Sequence, residues 1–175
     1  GAGARLVVNG SNLGKGDSLN RVLDNLDFDF LLLVDGDLGA CASEARKLLV
    51  AVLEDGADLA IAGFPPPRYK GGLGVAQSLA RRGIRMLTGH TMKTPLSGQR
   101  AMNRMAYEKV SPFDRRFGVE VGMTIDAFYA GLKVVEVPTS MSHRETGRDL
   151  AGFLHRGGQC ADILRSLAKR LFAER

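Results

Sequence analysis

A chain of 175 residues, 45% hydrophobic and 25% charged, has the length of one ordinary domain and enough apolar surface to bury a core. No apolar run approaches the roughly 18 residues of a membrane span. A net charge of +5 favours anionic ligands such as nucleotides, phosphorylated molecules or anionic lipid, while 6% aromatic residues without a basic–aromatic stacking pattern argue against nucleic acid.

The chain opens at Gly1 and runs almost at once into residues 5–9 (Arg5-Leu6-Val7-Val8-Asn9), which read as a strand; so abrupt a start suggests a cut inside a domain. Residues 15–26 follow as a helix, with Leu19, Val22, Leu23 and Leu26 on one stripe. Residues 30–34, five apolar positions ending at Asp35-Gly36-Asp37, read as a buried parallel strand. Residues 43–54 are a helix N-capped at Ser43 and ended near Gly56, and 58–63 are a strand. Pro65, Pro66 and Pro67 stop regular structure and open a glycine-rich loop bearing Arg68 and Lys70, either a lid over an acceptor or a solvated basic loop. Residues 75–87 are helical, 99–107 change from strand to helix, 119–129 are a helix, 133–137 a strand closed by Pro138, and 150–172 a helix. This alternation predicts a mostly parallel α/β sheet with helices on both faces. Cys41 and Cys160 lie far apart without metal-ligand spacing, reading as unpaired buried thiols that suit a reducing cytoplasm.

The chemistry concentrates at a few places. Asp35 and Asp37 stand at a predicted strand tip, the edge where open α/β sheets bind ligands. Two residues apart on a strand they would share a face, and hard carboxylate oxygens suit Mg²⁺ or Mn²⁺ carrying a diphosphate. A phosphatase signature around Asp35 is disfavoured by Gly39, which stands where Thr or Val is wanted. The Gly10–Gly16 segment fails as an ATPase P-loop: only three residues separate Gly10 from Gly14, and Gly16 follows Lys15. It remains a strand-to-helix turn whose helix N-terminus and Lys15 attract anions.

Together these segments resemble glycosyltransferase family 2, of the GT-A fold. Asn12-Leu13-Gly14-Lys15-Gly16-Asp17-Ser18-Leu19-Asn20 is similar to the family's nucleotide-binding N-x-G-K-G-x-x-x-N segment, and Val34-Asp35-Gly36-Asp37-Leu38 to its metal-binding D-x-D. Pro95-Leu96-Ser97-Gly98-Gln99-Arg100-Ala101 resembles the sugar- and acceptor-side segment, Phe117-Gly118-Val119-Glu120-Val121-Gly122 the stretch bearing the functional acid, and His143-Arg144 the place of a third metal ligand. The resemblance implies Asn12, Gly14, Lys15 and Asp35 for the nucleotide. It implies Asp37 with Asp35 and His143 for Mg²⁺ or Mn²⁺, and Glu120 as general base or sugar-orienting group. Ser97, Gly98, Gln99, Arg100 and Arg144 would face sugar or acceptor, Arg100 through a bidentate contact. The implied activity is sugar transfer from a UDP- or GDP-sugar to a phosphorylated or polyprenyl-phosphate acceptor, in a cytoplasmic protein. Nearest in pattern are dolichyl-phosphate mannose synthases and glucosyl-3-phosphoglycerate synthases.

The family's opening P-x-Y-N-E motif, helix and D-D-G-S strand have no counterpart here, so residues 1–149 read as a GT-A domain lacking an N-terminal βαβ unit. The alternative is a non-catalytic remnant serving as a binding or assembly module. Residues 150–175 form a basic amphipathic helix with Cys160, Ile163, Leu164, Leu167 and Leu171 on one face. That helix would pack on the domain or a second subunit, forming a homodimer, or lie on an anionic membrane.

Overall fold

The computed structural model describes residues 3–65, 74–141 and 150–173, the side chains of 150–156 excepted. In chain order these hold α1 (Lys15–Leu23), β1 (Phe30–Leu33), a 3-10 turn (Gly39–Ala45), α2 (Arg46–Leu53), β2 (Leu59–Gly63), α3 (Gly74–Thr88), β3 (Arg100–Asn103), α4 (Arg104–Val110), a second 3-10 turn (Arg116–Gly118), α5 (Val119–Tyr129), β4 (Val134–Pro138) and α6 (Leu150–Leu171).

The four strands form one sheet in the order β1-β3-β2-β4. β3 runs antiparallel to both its neighbours, while β2 and β4 are parallel, so three strands share a direction and the third in sequence opposes them. Because β3 opposes β1, its first residue lies beside the last of β1, Leu33 opposite Arg100. The tip of β1 and the loop entering β3 therefore meet at one edge of the sheet.

Strand alternation divides the core. Leu59, Ile61 and Met102 face a cluster with Ile84 of α3, Val121 and Ile125 of α5, and Ile163 and Leu167 of α6. Ala60, Ala62 and Ala101 face Leu48, Ala51 and Val52 of α2 and Met141. Small alanines on that side let α2 lie close to the sheet. On the other side Gly83 of α3 leaves no room for a Cβ against Leu167, which fixes the close approach of α6. Asn103 ends β3 and starts α4 by accepting a 2.7 Å hydrogen bond from the Ala106 amide, an N-cap.

Several expectations need correction. Residues 5–9 are not a strand: they pair with nothing in the sheet, and Leu6 and Val8 are exposed. An apolar alternating run becomes a strand only where a neighbour supplies a ladder, and here Asn9 instead bonds Ser18 of α1 through its side chain. β1 is not a buried parallel strand; its partner among the described residues is antiparallel β3, and Phe30 is exposed. Ser43 is not a helix cap, since residues 39–45 wind into the tighter 3-10 turn, where its hydroxyl donates to the Ala40 carbonyl, and α2 begins at Arg46. α1 stops at Leu23 because the amides of Asn25 and Leu26 turn back to the carbonyls of Val22 and Leu23. The apolar stripe of α6 divides: Ile163 and Leu167 are buried, whereas Leu164 and Leu171 are exposed. Cys41 and Cys160 are free and half-buried. Among the described residues no helix is long and apolar enough to cross a membrane. The Arg68–Gly72 loop, His143 and Arg144 lie outside the described residues.

Candidate active site

The N-x-G-K-G-x-x-x-N segment is a set of mechanical parts. Asn12 accepts a 3.0 Å hydrogen bond from the Gly14 amide through its side chain, closing a turn. Gly14 takes φ +79, and a Cβ there would strike Arg116. Gly16 has no space for a side chain, because a Cβ would fall on the Asp114 carbonyl oxygen and press on Val119. Asn20 holds the same segment by two bonds, donating to the Phe113 carbonyl at 2.9 Å and accepting from the Phe113 amide at 2.8 Å. The start of α1 is thereby locked to the chain that leads into α5.

Lys15, first residue of α1, spans the gap this creates. Its Nζ lies 2.8 Å from Asp35 Oδ1, just past β1, and 3.0 Å from Glu120 Oε1, in the first turn of α5. Burial alone would depress the lysine; the Glu120 and Asp35 carboxylates outweigh it and raise it above its ordinary 10.5, so Lys15 is a fixed positive charge. Gly98 closes the arrangement from the sheet edge, with no room for a Cβ beside Asp35 and Lys15.

The loop before β3 is braced on two sides. Glu136 of β4 accepts from the amides of Lys93 and Thr94 at 2.8 and 2.6 Å. Arg100 is wholly buried, donating to the Ser97 carbonyl at 2.9 Å and the Thr124 hydroxyl at 3.0 Å. Burial pushes its guanidinium down to about 10, against the opposing pull of Glu120 and Glu136. Arg100 is therefore turned inward and cannot make the expected bidentate ligand contact. Ser97 and Gln99 are buried too, and their side-chain polar atoms have no hydrogen-bond partner among the described residues.

A cleft of about 510 Å³ opens over the Lys15 bridge, lined by Asn12, Gly14, Lys15, Asp35, Leu96, Arg116, Phe117, Glu120 and Gln159. Five of the sequence-derived candidates line it: Asn12, Gly14, Lys15, Asp35 and Glu120. Leu96 and Phe117 belong to the two resemblance segments without an assigned role, and Arg116 and Gln159 lie outside every segment singled out. The basic pair Arg115-Arg116 just before the acid-bearing segment was the available signal for Arg116, which sits at φ +49 in the left-handed region. Gln159 comes from α6 and carried no signal.

Asp35 and Asp37 do not share a strand face. β1 ends at Leu33 and both carboxylates lie in the turn beyond it, Asp35 half-buried and Asp37 exposed. Asp37 has no hydrogen-bond or ion-pair partner among the described residues, and no cluster of three His, Cys, Asp or Glu that could hold a metal occurs among them.

No family model matches the chain. It is 29% identical over 153 residues, 85% of its length, to the glycosyltransferase AglJ of Haloferax volcanii. Glucosyl-3-phosphoglycerate synthase of Mycobacterium tuberculosis, solved with Mn²⁺, UDP-glucose and phosphoglyceric acid, superposes on 93% of the chain with a TM-score of 0.73 at 25% identity. A further mycobacterial protein superposes on 93% with a TM-score of 0.73 at 27% identity. The chain spans about half the length of these relatives, 50% of AglJ and 56% of the synthase. The chain has the GT-A fold, and its resemblance to family 2 glycosyltransferases holds in sequence and in structure.

Proposed function

We propose that this chain carries the donor-binding and catalytic face of a metal-dependent glycosyltransferase, moving a sugar from a UDP- or GDP-sugar to a phosphorylated acceptor. The observation that carries this reading is the Lys15 bridge, which joins residues 20 and 105 positions away into one cleft floor. With two carboxylates on one ammonium the floor is net negative, so an anionic diphosphate would enter together with a divalent counter-ion.

The donor type suits the ion: Asp35 and Asp37 offer only hard oxygens, and Asp35, paired with the Lys15 ammonium, would have to exchange that partner for the metal. These two carboxylates would hold Mg²⁺ or Mn²⁺, with His143 as a further ligand. When bound, the ion stabilises charge developing on the leaving diphosphate. Lys15 and Arg116 offer the diphosphate a point charge and a planar fork. Asp37 would be the direct ligand, and Asp35 would face the ribose or the water around the ion. Glu120, buried at the start of α5, takes the acceptor hydroxyl's proton or holds a sugar hydroxyl. Phosphoglyceric acid in the mycobacterial synthase supports a phosphorylated acceptor. For a lipid phosphate and peripheral contact with a membrane, the supporting feature is the exposed Leu164 and Leu171 on basic α6, with the exposed Phe172 just past its end.

Calorimetric titration of the full-length protein with UDP-glucose and GDP-mannose, with and without Mn²⁺, tests the reading. One donor should bind in a Mn²⁺-dependent way, and Asp37→Ala and Lys15→Met should each weaken it at least tenfold. Unchanged Mn²⁺-dependent affinity in both variants would reject it.

A further inference from the structure

Glu120 is held from the cleft side by Lys15; on the other side of α5 lies a second ionic cluster that the donor site does not use. Arg170 of α6 is buried, and its Nε donates to Asp126 Oδ1 at 2.7 Å while Nη2 pairs with Asp126 Oδ2. Its Nη1 pairs with Asp114 Oδ2 and donates to the Ser166 carbonyl and hydroxyl. Asp114 also accepts from Lys169 at 2.8 Å and Ser166 at 2.7 Å. Asp126 and Gly122, four apart, share a face of α5 turned away from Glu120. Gly122 has no room for a Cβ because Asp114 and Arg170 occupy the space, and Gly118 lies tight against Asp114 and Ser166. The end of α6 is thus laid on the backbone of the turn that presents Glu120.

We propose that Arg170 is a positioning residue for Glu120: its bidentate fork on Asp126, with its pair to Asp114, sets the rotation of α5 and so the placement of the carboxylate in the cleft. Stability alone does not call for such a cluster, since a buried ion pair is often matched or bettered by apolar residues of the same volume. A planar fork on a carboxylate adds fixed geometry. Misplacement of about 1 Å can cost roughly a hundredfold in rate.

This inference rests on the transferase reading, and a double-mutant cycle separates the two. Nucleoside diphosphate release, donor affinity and melting temperature are measured for wild type, Arg170→Met, Arg170→Lys, Glu120→Gln and Arg170→Met with Glu120→Gln. Arg170→Met should lower turnover on the order of 10- to 100-fold with donor affinity within about threefold, and Arg170→Lys, which keeps the charge but not the fork, should not restore it. With Glu120→Gln already present, Arg170→Met should cost less than about threefold, because the two act through one group. Full turnover in folded Arg170→Met, or an equal loss in both backgrounds, overturns the positioning role. Full turnover in Glu120→Gln removes the functional reading itself, and the Arg170 role with it. If Arg170→Met does not fold, Asp126→Asn, which spoils the fork and leaves Asp114 paired, carries the same cycle.

Discussion

Gly16→Ala sets two physical effects against each other. Gly16 is the second residue of α1, where alanine should gain about 1 kcal/mol in helix propensity. Against this, the new methyl would fall on the Asp114 carbonyl oxygen. That backbone cannot easily retreat, since Asn20 holds Phe113 by two hydrogen bonds and α6 grips the Asp114 side chain. Accommodation means separating α1 from the segment before α5. Overpacking strain of about 1–3 kcal/mol is then joined by two hydrogen bonds worth about 1 kcal/mol each. The clash should win by about 3 kcal/mol net, or roughly 6–12 °C in melting temperature for a domain of this size. Thermal and urea unfolding followed by circular dichroism would measure it. An unchanged or raised melting temperature would refute the close packing of α1 on Asp114.

Gly98→Ala should behave differently, because the atoms in its way are the ends of the Lys15 and Asp35 side chains, each about one-third exposed. The pair can open, so stability should fall by only about 1 kcal/mol, yet Mn²⁺-dependent donor affinity should drop severalfold by calorimetry; intact affinity would contradict the placement of Gly98. Burial works against the Asp114 charge, but Lys169, Ser166 and Arg170 outweigh it and hold the carboxyl below its ordinary 3.8. A depressed folded value means stability that is full above pH 3.8 and lost as pH falls through the lower folded value. Urea midpoints from pH 5 down to pH 2 should therefore fall more steeply in wild type than in Asp114→Asn, and equal slopes would dismiss this contribution. Arg116→Gly relieves a left-handed backbone at φ +49, so its melting temperature should hold or rise while donor affinity falls; a clear drop in melting temperature would show that the Arg116 side chain mainly packs.

The spacing of chemical residues was legible because it reflects local geometry. The turn at Asn12–Gly14, the helix start at Lys15 and the span of α5 follow from neighbouring residues, and Lys15, Asp35 and Glu120 do meet. What failed depends on partners distant in the chain. Residues 5–9 have strand composition, but a strand exists only through its ladder. Arg100 stands in a polar segment that reads as ligand-facing, and only the Leu33–Arg100 register and Thr124 of α5 reveal that it turns inward. Asp35 and Asp37 looked like strand residues, but the last ladder pair is Leu33, and beyond it the turn sets their directions. Gln159 reaches the cleft only because Gly83 and Leu167 seat α6 on α3. The Arg170 cluster escaped notice because buried and solvated arginines on a helix have the same sequence signature.

The most direct measurement is nucleoside diphosphate release by the full-length protein supplied with a UDP- or GDP-sugar, Mn²⁺ and a phosphorylated acceptor such as phosphoglycerate, for wild type and Glu120→Gln. Wild type should show acceptor-dependent release that stops when Mn²⁺ is chelated. Glu120→Gln should lose on the order of a hundredfold or more in turnover, consistent with a general base, while donor affinity is kept. Release within a few-fold of wild type in Glu120→Gln, or none in wild type with a donor bound, would contradict it.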